Sequence, residues 1–515
     1  MPPALPRRLM RSLALTSLVA CGSGLAIEDA GVVDGGASGA SDASDPGKPV
    51  EPGGGEAGPP DAPPGVSPSP CGGARVPVPS PLRTLWVATD GNDTTGDGSQ
   101  SKPFGSLAAT ASRLRPGDLV SIRAGTYRPR APVFFDGIKG TSAAPIRIAP
   151  APGEKVTIDG SAATLARGAG LITLSNVAWV VLEGLEVTGS SQALVHVEQG
   201  DHATLRDLRV HGAKGEGILL VGRDLVAEDN EIWDVANVNS GGVLDGGWPG
   251  GIDTFHAPDG ALTTGLVVRR NKVHDVWGEC IISAFVEKAA IVDNEVRNCF
   301  STGIYGDHTR DLRIERNLVS VDSRAYDING VPMTGIDLAV ERYGSRDPAP
   351  FPIDRVVVAN NVLARVGTAM GFSNEPAHNA AGNSYGDLVF SHNVVWRSTD
   401  AAFRFSRLSA LSRAAGPVRI VNNILVSPMA YDVRGARITA LANCYEVAEL
   451  GDLADPKALR GACGIGAPPS PLSLLAFRPG AGAKVKGGGA PEPAVPLDAF
   501  CAKRSEAAPS IGVAE

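Results

Sequence analysis

Three short phrases put carboxylates and imidazoles at matching points of one recurring pattern: GIDTFH (251–256), GIYGDH (303–308) and GIDL (335–338). Asp253, Asp307 and Asp337 alternate with apolar neighbours as a half-buried strand requires, so all three are expected on its outer face. An outer carboxylate beside an imidazole, as at Asp307 and His308, has the inventory for general acid–base work. His256 ends its own outer row in the same way. Phe255 and Tyr305 have rings able to stack on sugars, and Asp253 is a candidate oxygen ligand for calcium. Each has a plainer alternative: a solvated Asp beside a turn, a surface acid–imidazole pair, a ring that only packs.

These phrases sit inside a repeat. VRRNKV (268–273), IVDNEV (291–296), IERNLV (314–319), VANNVL (358–363), FSHNVV (390–395) and IVNNIL (420–425) share a fourth-position Asn, and AEDNEI (227–232) joins them. Asn271, Asn294 and Asn317 are 23 residues apart, which sets the unit. LEGLEV and LRDLRV, with Leu185 and Leu208 in the Asn place, extend the series backwards. Each unit holds two or three short alternating runs between Gly, Asn and Asp, and none is long enough for a helical repeat. The expected fold is therefore all-β, a right-handed parallel β-helix whose coils stack about 4.8 Å apart. The Asn series then has a structural reason, because stacked side-chain amides hydrogen-bond along the axis.

Eight residues after the Val of a standard unit comes an inward Ile, as in 273→281 and 296→304. The next residue points outward, giving the row Leu219, Asp253, Ile282, Tyr305, Asp337, Gly371. Two residues on runs a second row: Val221, Phe255, Ala284, Asp307, Ala339, Ser373. The intervals 232→252 and 319→336 are longer than the standard one, so loops should wall a groove around these rows. Asp307 and Asp337, one coil apart and offset by two residues, should have Cα atoms roughly 8 Å apart. That separation suits an inverting hydrolase pair, whereas in a lyase the same acids would hold a cation with Asp253.

Residues 1–20 read as a secretory signal, with Arg7, Arg8 and Arg11 before an apolar run too short to span a bilayer. Residues 21–80 are rich in Gly, Pro, Ala, Ser and Asp and read as a disordered tether, leaving 81–515 as one β-helix domain. LVAC (18–21) resembles a bacterial lipobox, which implies acylation at Cys21, export, and contact with the membrane only through that anchor. A net charge of −8 gives no footprint for nucleic acid, and a monomer is expected. Among the remaining cysteines, Cys444 and Cys463 bracket an irregular loop and are expected to pair.

The stretch 85–161 contains ATDGND, SKPF, PGDLVSIRAGTYR, APIRI and GEKVTIDG, and it resembles the opening of right-handed β-helix proteins related to polysaccharide lyase families 9 and 6. The resemblance implies a polysaccharide partner and cleavage of uronate polymers by β-elimination, with calcium held by a D-D-G-x-D cluster and a Lys base. Here the cluster reads PGGID, so only Asp253 matches, and Ile282 stands at the base position. The expectation is a carbohydrate-active, lyase-like surface protein acting on an acidic polysaccharide. The alternatives are a non-catalytic glycan-binding or adhesion β-helix, and an inverting glycoside hydrolase using Asp307 and Asp337.

Overall fold

The structure, a computed structural model, describes residues 77–243, 247–340, 353–373, 384–405, 416–433, 437–466 and 472–515, with Gly73, Arg75, Arg413, Ala414 and positions 468 and 470. The expected signal, Cys21 and nearly all of the tether lie outside these residues. Among the described residues there is no α-helix; short strands pair in parallel, and each meets the strand one coil further on. This is the right-handed parallel β-helix expected from the repeat.

Three strands make a coil. In one coil they are Glu279–Ala284, Val286–Val292 and Glu295–Cys299; in the next, Thr302–Asp307, Arg310–Glu315 and Leu318–Ser320. The expected inward residues Ile218, Ile252, Ile281, Ile304, Ile336 and Met370 are fully buried and stack into one apolar core. A side chain burying this completely contributes about 1.5–3 kcal/mol, so the interior row alone supplies much of the hold between coils.

Between the second and third strands the chain turns sharply, and here the asparagines stack. Asn271 donates its side-chain amide to Asn294 Oδ1 at 3.0 Å, Asn294 to Asn317 at 2.9 Å and Asn317 to Asn361 at 3.0 Å. The row continues through Asn393 and Asn423 to Asn443, and ends where Asn443 meets Asp455. Each Oδ1 also accepts the backbone N–H of the preceding Asn, so the turn's buried polar groups are satisfied by the next coil. At the other end Leu208 N–H bonds Asn230 Oδ1 at 3.0 Å, which shows how the apolar start of the row joins it.

The residue before each ladder Asn has positive φ: Asp229, Arg270, Asp293, Arg316, Asn360, His392 and Asn422. Arg is uncommon there, and it is held because hydrogen bonds on both sides fix the turn. Their charges pair from coil to coil, Arg270 with Asp229 and Arg316 with Asp293, both at 2.8 Å.

Two disulfides join described residues. Cys444 and Cys463 are bonded with Cα atoms 5.9 Å apart, and Cys280 and Cys299 with Cα atoms 5.6 Å apart.

Candidate functional site

The first strands of successive coils form one sheet, and its outer face carries the expected row in register. His196 lies opposite Leu219, Leu219 opposite Asp253, Ile282 opposite Tyr305, and Tyr305 opposite Asp337. The second row is likewise in register, with Ala284, Asp307, Ala339 and Ser373 as successive partners.

Outward direction does not mean solvent here, and this corrects several expectations. Asp307 and His308 are 0% and 1% exposed. His308 Nδ1 lies 2.8 Å from Asp307 Oδ1, and its ring stacks on Phe285 with centroids 4.9 Å apart. Tyr305 is buried in an apolar cluster with Ile282, Ala284, Phe285 and Ala339, onto which Phe255 and Leu262 pack, so its ring offers no face to a sugar. Asp337 is buried as well, its carboxylate lying over the bare backbone of Gly371. Phe255 and Leu262, at the two ends of the inserted segment 255–262, pack on the cluster that buries Tyr305. Thr263 Oγ1 donates to Phe255 O at 2.9 Å and pins that segment down. Phe255 meets Phe285 edge-on at 5.0 Å and His256 at 4.3 Å, while His256 Nδ1 donates to Ala257 O at 2.7 Å. Phe255 and His256 are thus parts of the cover, partly exposed at its margin.

Asp253 differs from the other two acids, because it is partly exposed. Its neighbour is Glu216. Glu216 precedes the strand Ile218–Arg223; the pairing of Ile218 with Ile252 puts it opposite Gly250, and Gly250 in turn lies opposite Glu279. Gly250 has no side chain, and a Cβ built there would come 3.2 Å from Asp253 Cβ and 2.9 Å from Ile282 Cδ1. Ile282 Cδ1 and Asp253 thus close over the buried Gly250, which has Glu216 and Glu279 on either side of it in the neighbouring coils. Among the described residues no side-chain donor or cation bonds the carboxyl of Glu216 or of Asp253.

The electrostatics follow from that. Burial pushes the Asp253 carboxyl well above the usual carboxylate range, the Glu216 charge pushes it further, and N–H groups of Thr254 and Gly250 oppose this only in part. Burial also raises Glu216. One coil before Leu219, burial lowers His196 to about 4, so a neutral imidazole lies on the same row.

As a calcium site the residues fit poorly. Where the resemblance implies a carboxylate cluster, Pro249 and Gly250 bring no side-chain oxygen, and Asp253 with Glu216 offers too few ligands for a cation that takes six to eight. Among the described residues, the set of three groups close enough to share an ion is Asp201, His202 and Asp224, away from this face.

Residues 85–246 match the family model described as Pel9A-like, right handed beta helix region. No curated protein matches the chain. Similar solved structures include pectate lyase Pel9A, 15% identical, with 85% of this chain and 97% of that one covered and a TM-score of 0.47. An alginate lyase from Paenibacillus sp. is 12% identical, with 69% and 99% covered and a TM-score of 0.44. GH136 lacto-N-biosidase from Eubacterium ramulus is 14% identical, with 73% and 67% covered and a TM-score of 0.43. The chain is a right-handed parallel β-helix whose residues 85–246 resemble the Pel9A-like β-helix region. At these identities no residue role passes from one protein to the other.

Proposed function

We propose that the protein is carbohydrate-active and cleaves glycosidic bonds of a polysaccharide at the partly exposed Asp253, with that residue as proton donor. The observation that carries this reading is the coupled pair of partly exposed carboxyls, Asp253 and Glu216, which no described cation neutralises. Two like charges in a desolvated site hold one proton between them, which is how one carboxyl stays acidic while its neighbour serves as base. In the step envisaged, the Asp253 O–H proton passes to the glycosidic oxygen as its bond to the anomeric carbon breaks. Glu216 takes a proton from the water that forms the new bond to that carbon.

This reading moves the chemistry from Asp307 and Asp337 to Asp253 and Glu216, because the former pair is covered. It also favours hydrolysis over elimination, since Ile282 occupies the place of a base and supplies no proton acceptor. The cleavage is placed at the cell envelope, through acylation of Cys21.

The test is incubation of the full chain with a panel of polysaccharides, reading both reducing ends and unsaturated uronide absorbance, with Asp253→Asn as the control. New reducing ends without unsaturated product, lost in the variant, support the proposal. Unsaturated product restored by calcium would mean a lyase, and binding without cleavage of any polymer would mean a glycan-binding module.

A further inference from the structure

The outer row that holds Asp253 continues for four coils toward the N-terminal end, through Leu219, His196 and Thr173 to Phe134. Phe134 is in the middle of the strand Val133–Asp136, and it is the odd member of the row: a large aromatic side chain, 49% exposed. Thr173 and Leu219, between it and Asp253, are buried at 5% and 8% exposure, while His196 between them is partly exposed, so His196 is the accessible member of the row between its two ends. Four coil spacings put Phe134 about 19 Å from Asp253. An extended pyranose chain advances by close to one coil spacing per sugar, so one sugar would lie over each coil.

The charge of this face restricts what such a chain can be. Asp136, Ser175 and Glu198 follow one another in the neighbouring row, and Glu216, Asp253 and Glu279 lie near its far end. The strands of this sheet from Val133–Asp136 to Met370–Ser373 contain two cations, Arg206, which lies in the second-sheet half of Ala193–Arg206 bonded to Glu183, and Arg223. Arg223 sits at the end of its strand, bonded to Asp201 at 2.6 Å. A uronate polymer brings one negative charge per sugar and would need cations in this surface to approach it. A neutral sugar needs only acceptors for its hydroxyls, which the carboxylates are, and an apolar ring for its C–H face.

We infer that Phe134 is a distal stacking subsite for a neutral polysaccharide laid along the coil axis, from Asp253 toward the N-terminal end. This rests on the proposed cleavage site only for the far end of the track; the stacking subsite and the neutral charge of its ligand stand on the row and its side chains.

Affinity electrophoresis of the full chain in gels containing glucan, xylan or mannan, against gels containing polygalacturonate or alginate, tests it. The expected result is retardation by at least one neutral polymer and by neither polyanion. Phe134→Ala should weaken it about tenfold, and Phe134→Trp should keep it. The exposed position makes unfolding of these variants no concern, and near-unchanged Tm checks that. Retardation by polyanions alone, by no polymer, or equally for Phe134→Ala and the parent overturns the inference. Cleavage is read separately: Phe134-dependent retardation without new reducing ends sinks the hydrolase reading and leaves the subsite standing. Cleavage of a neutral polymer with Phe134→Ala unimpaired does the reverse.

Discussion

Glu216 stands directly opposite Gly250 in the neighbouring coil, and its charge adds to burial in keeping the Asp253 carboxyl protonated. Removing that charge by Glu216→Gln should lower the pKa of Asp253 without touching its burial. If Asp253 is the proton donor, the basic limb of the kcat/KM profile moves to lower pH in the variant, and activity at neutral pH falls by about a hundredfold, since the base is gone as well. A profile with an unmoved basic limb would remove Asp253 from the acid's role.

The same raised pKa has a stability consequence. The folded form keeps the Asp253 proton above the unfolded value of about 3.9, so folding binds protons there and stability falls as pH rises through the folded pKa. Asp253→Asn should therefore be at least as stable as the parent at neutral pH, which denaturant titration at several pH values would measure.

His196 should give the opposite sign. Its folded pKa is lowered to about 4 against an unfolded value near 6.5, so the unfolded chain binds the proton first. The stability contribution is present above about pH 6.5 and is lost as pH falls toward 4, on the order of 2 kcal/mol after allowance for partial exposure. His196→Gln should flatten that window; an unchanged pH slope in the variant would mean that the imbalance of protons lies elsewhere.

The asparagine ladder predicts a position-dependent cost. Asn317→Leu removes the acceptor of Asn294 N–H at 3.0 Å and of its amide at 2.9 Å, together with the donor to Ile291 O at 2.9 Å. Several buried groups are left unpaired at once, so the expected loss is about 3 kcal/mol. Asn230→Leu, at the end where Leu208 already continues the row, should cost less. Equal losses at the two sites would argue that the stacked amides do not act along the axis.

The ladder and the inward Ile row were legible in the sequence because a stacked interior forces the same residue type to recur at each coil. Asn443 was missed: it follows Asn423 by only 20 residues in the phrase LANCYE, where the flanking pattern has changed. Direction along the outer row was legible too, from strand alternation. Exposure was not, because what buries Asp307 and Tyr305 is the path of the non-periodic segment 255–262 and the ring of Phe285. Glu216 lies just before its strand, a place where an acid commonly caps a turn. Its role beside Asp253 depends on the missing side chain of Gly250, a residue whose significance shows only when adjacent coils are laid side by side.

That missing side chain can be tested by restoring it. In Gly250→Ala the new methyl would lie 2.9 Å from Ile282 Cδ1, the free end of a side chain that can rotate away, and 3.2 Å from Asp253 Cβ, which must shift by a few tenths of an ångström. The backbone at Gly250 does not have positive φ, so Ala meets no conformational penalty there. Stability should accordingly change by less than about 1 kcal/mol. Asp253, however, is displaced from the position in which it would meet a glycosidic oxygen. Small misplacements of a reacting group cost up to about a hundredfold, so kcat/KM should fall by about ten- to a hundredfold with Tm nearly constant. Binding at Phe134, four coils away, should be untouched in affinity gels. A variant with full activity would show that no substrate enters over Gly250, whereas a large fall in Tm would show that Gly250 is retained for packing and not for access.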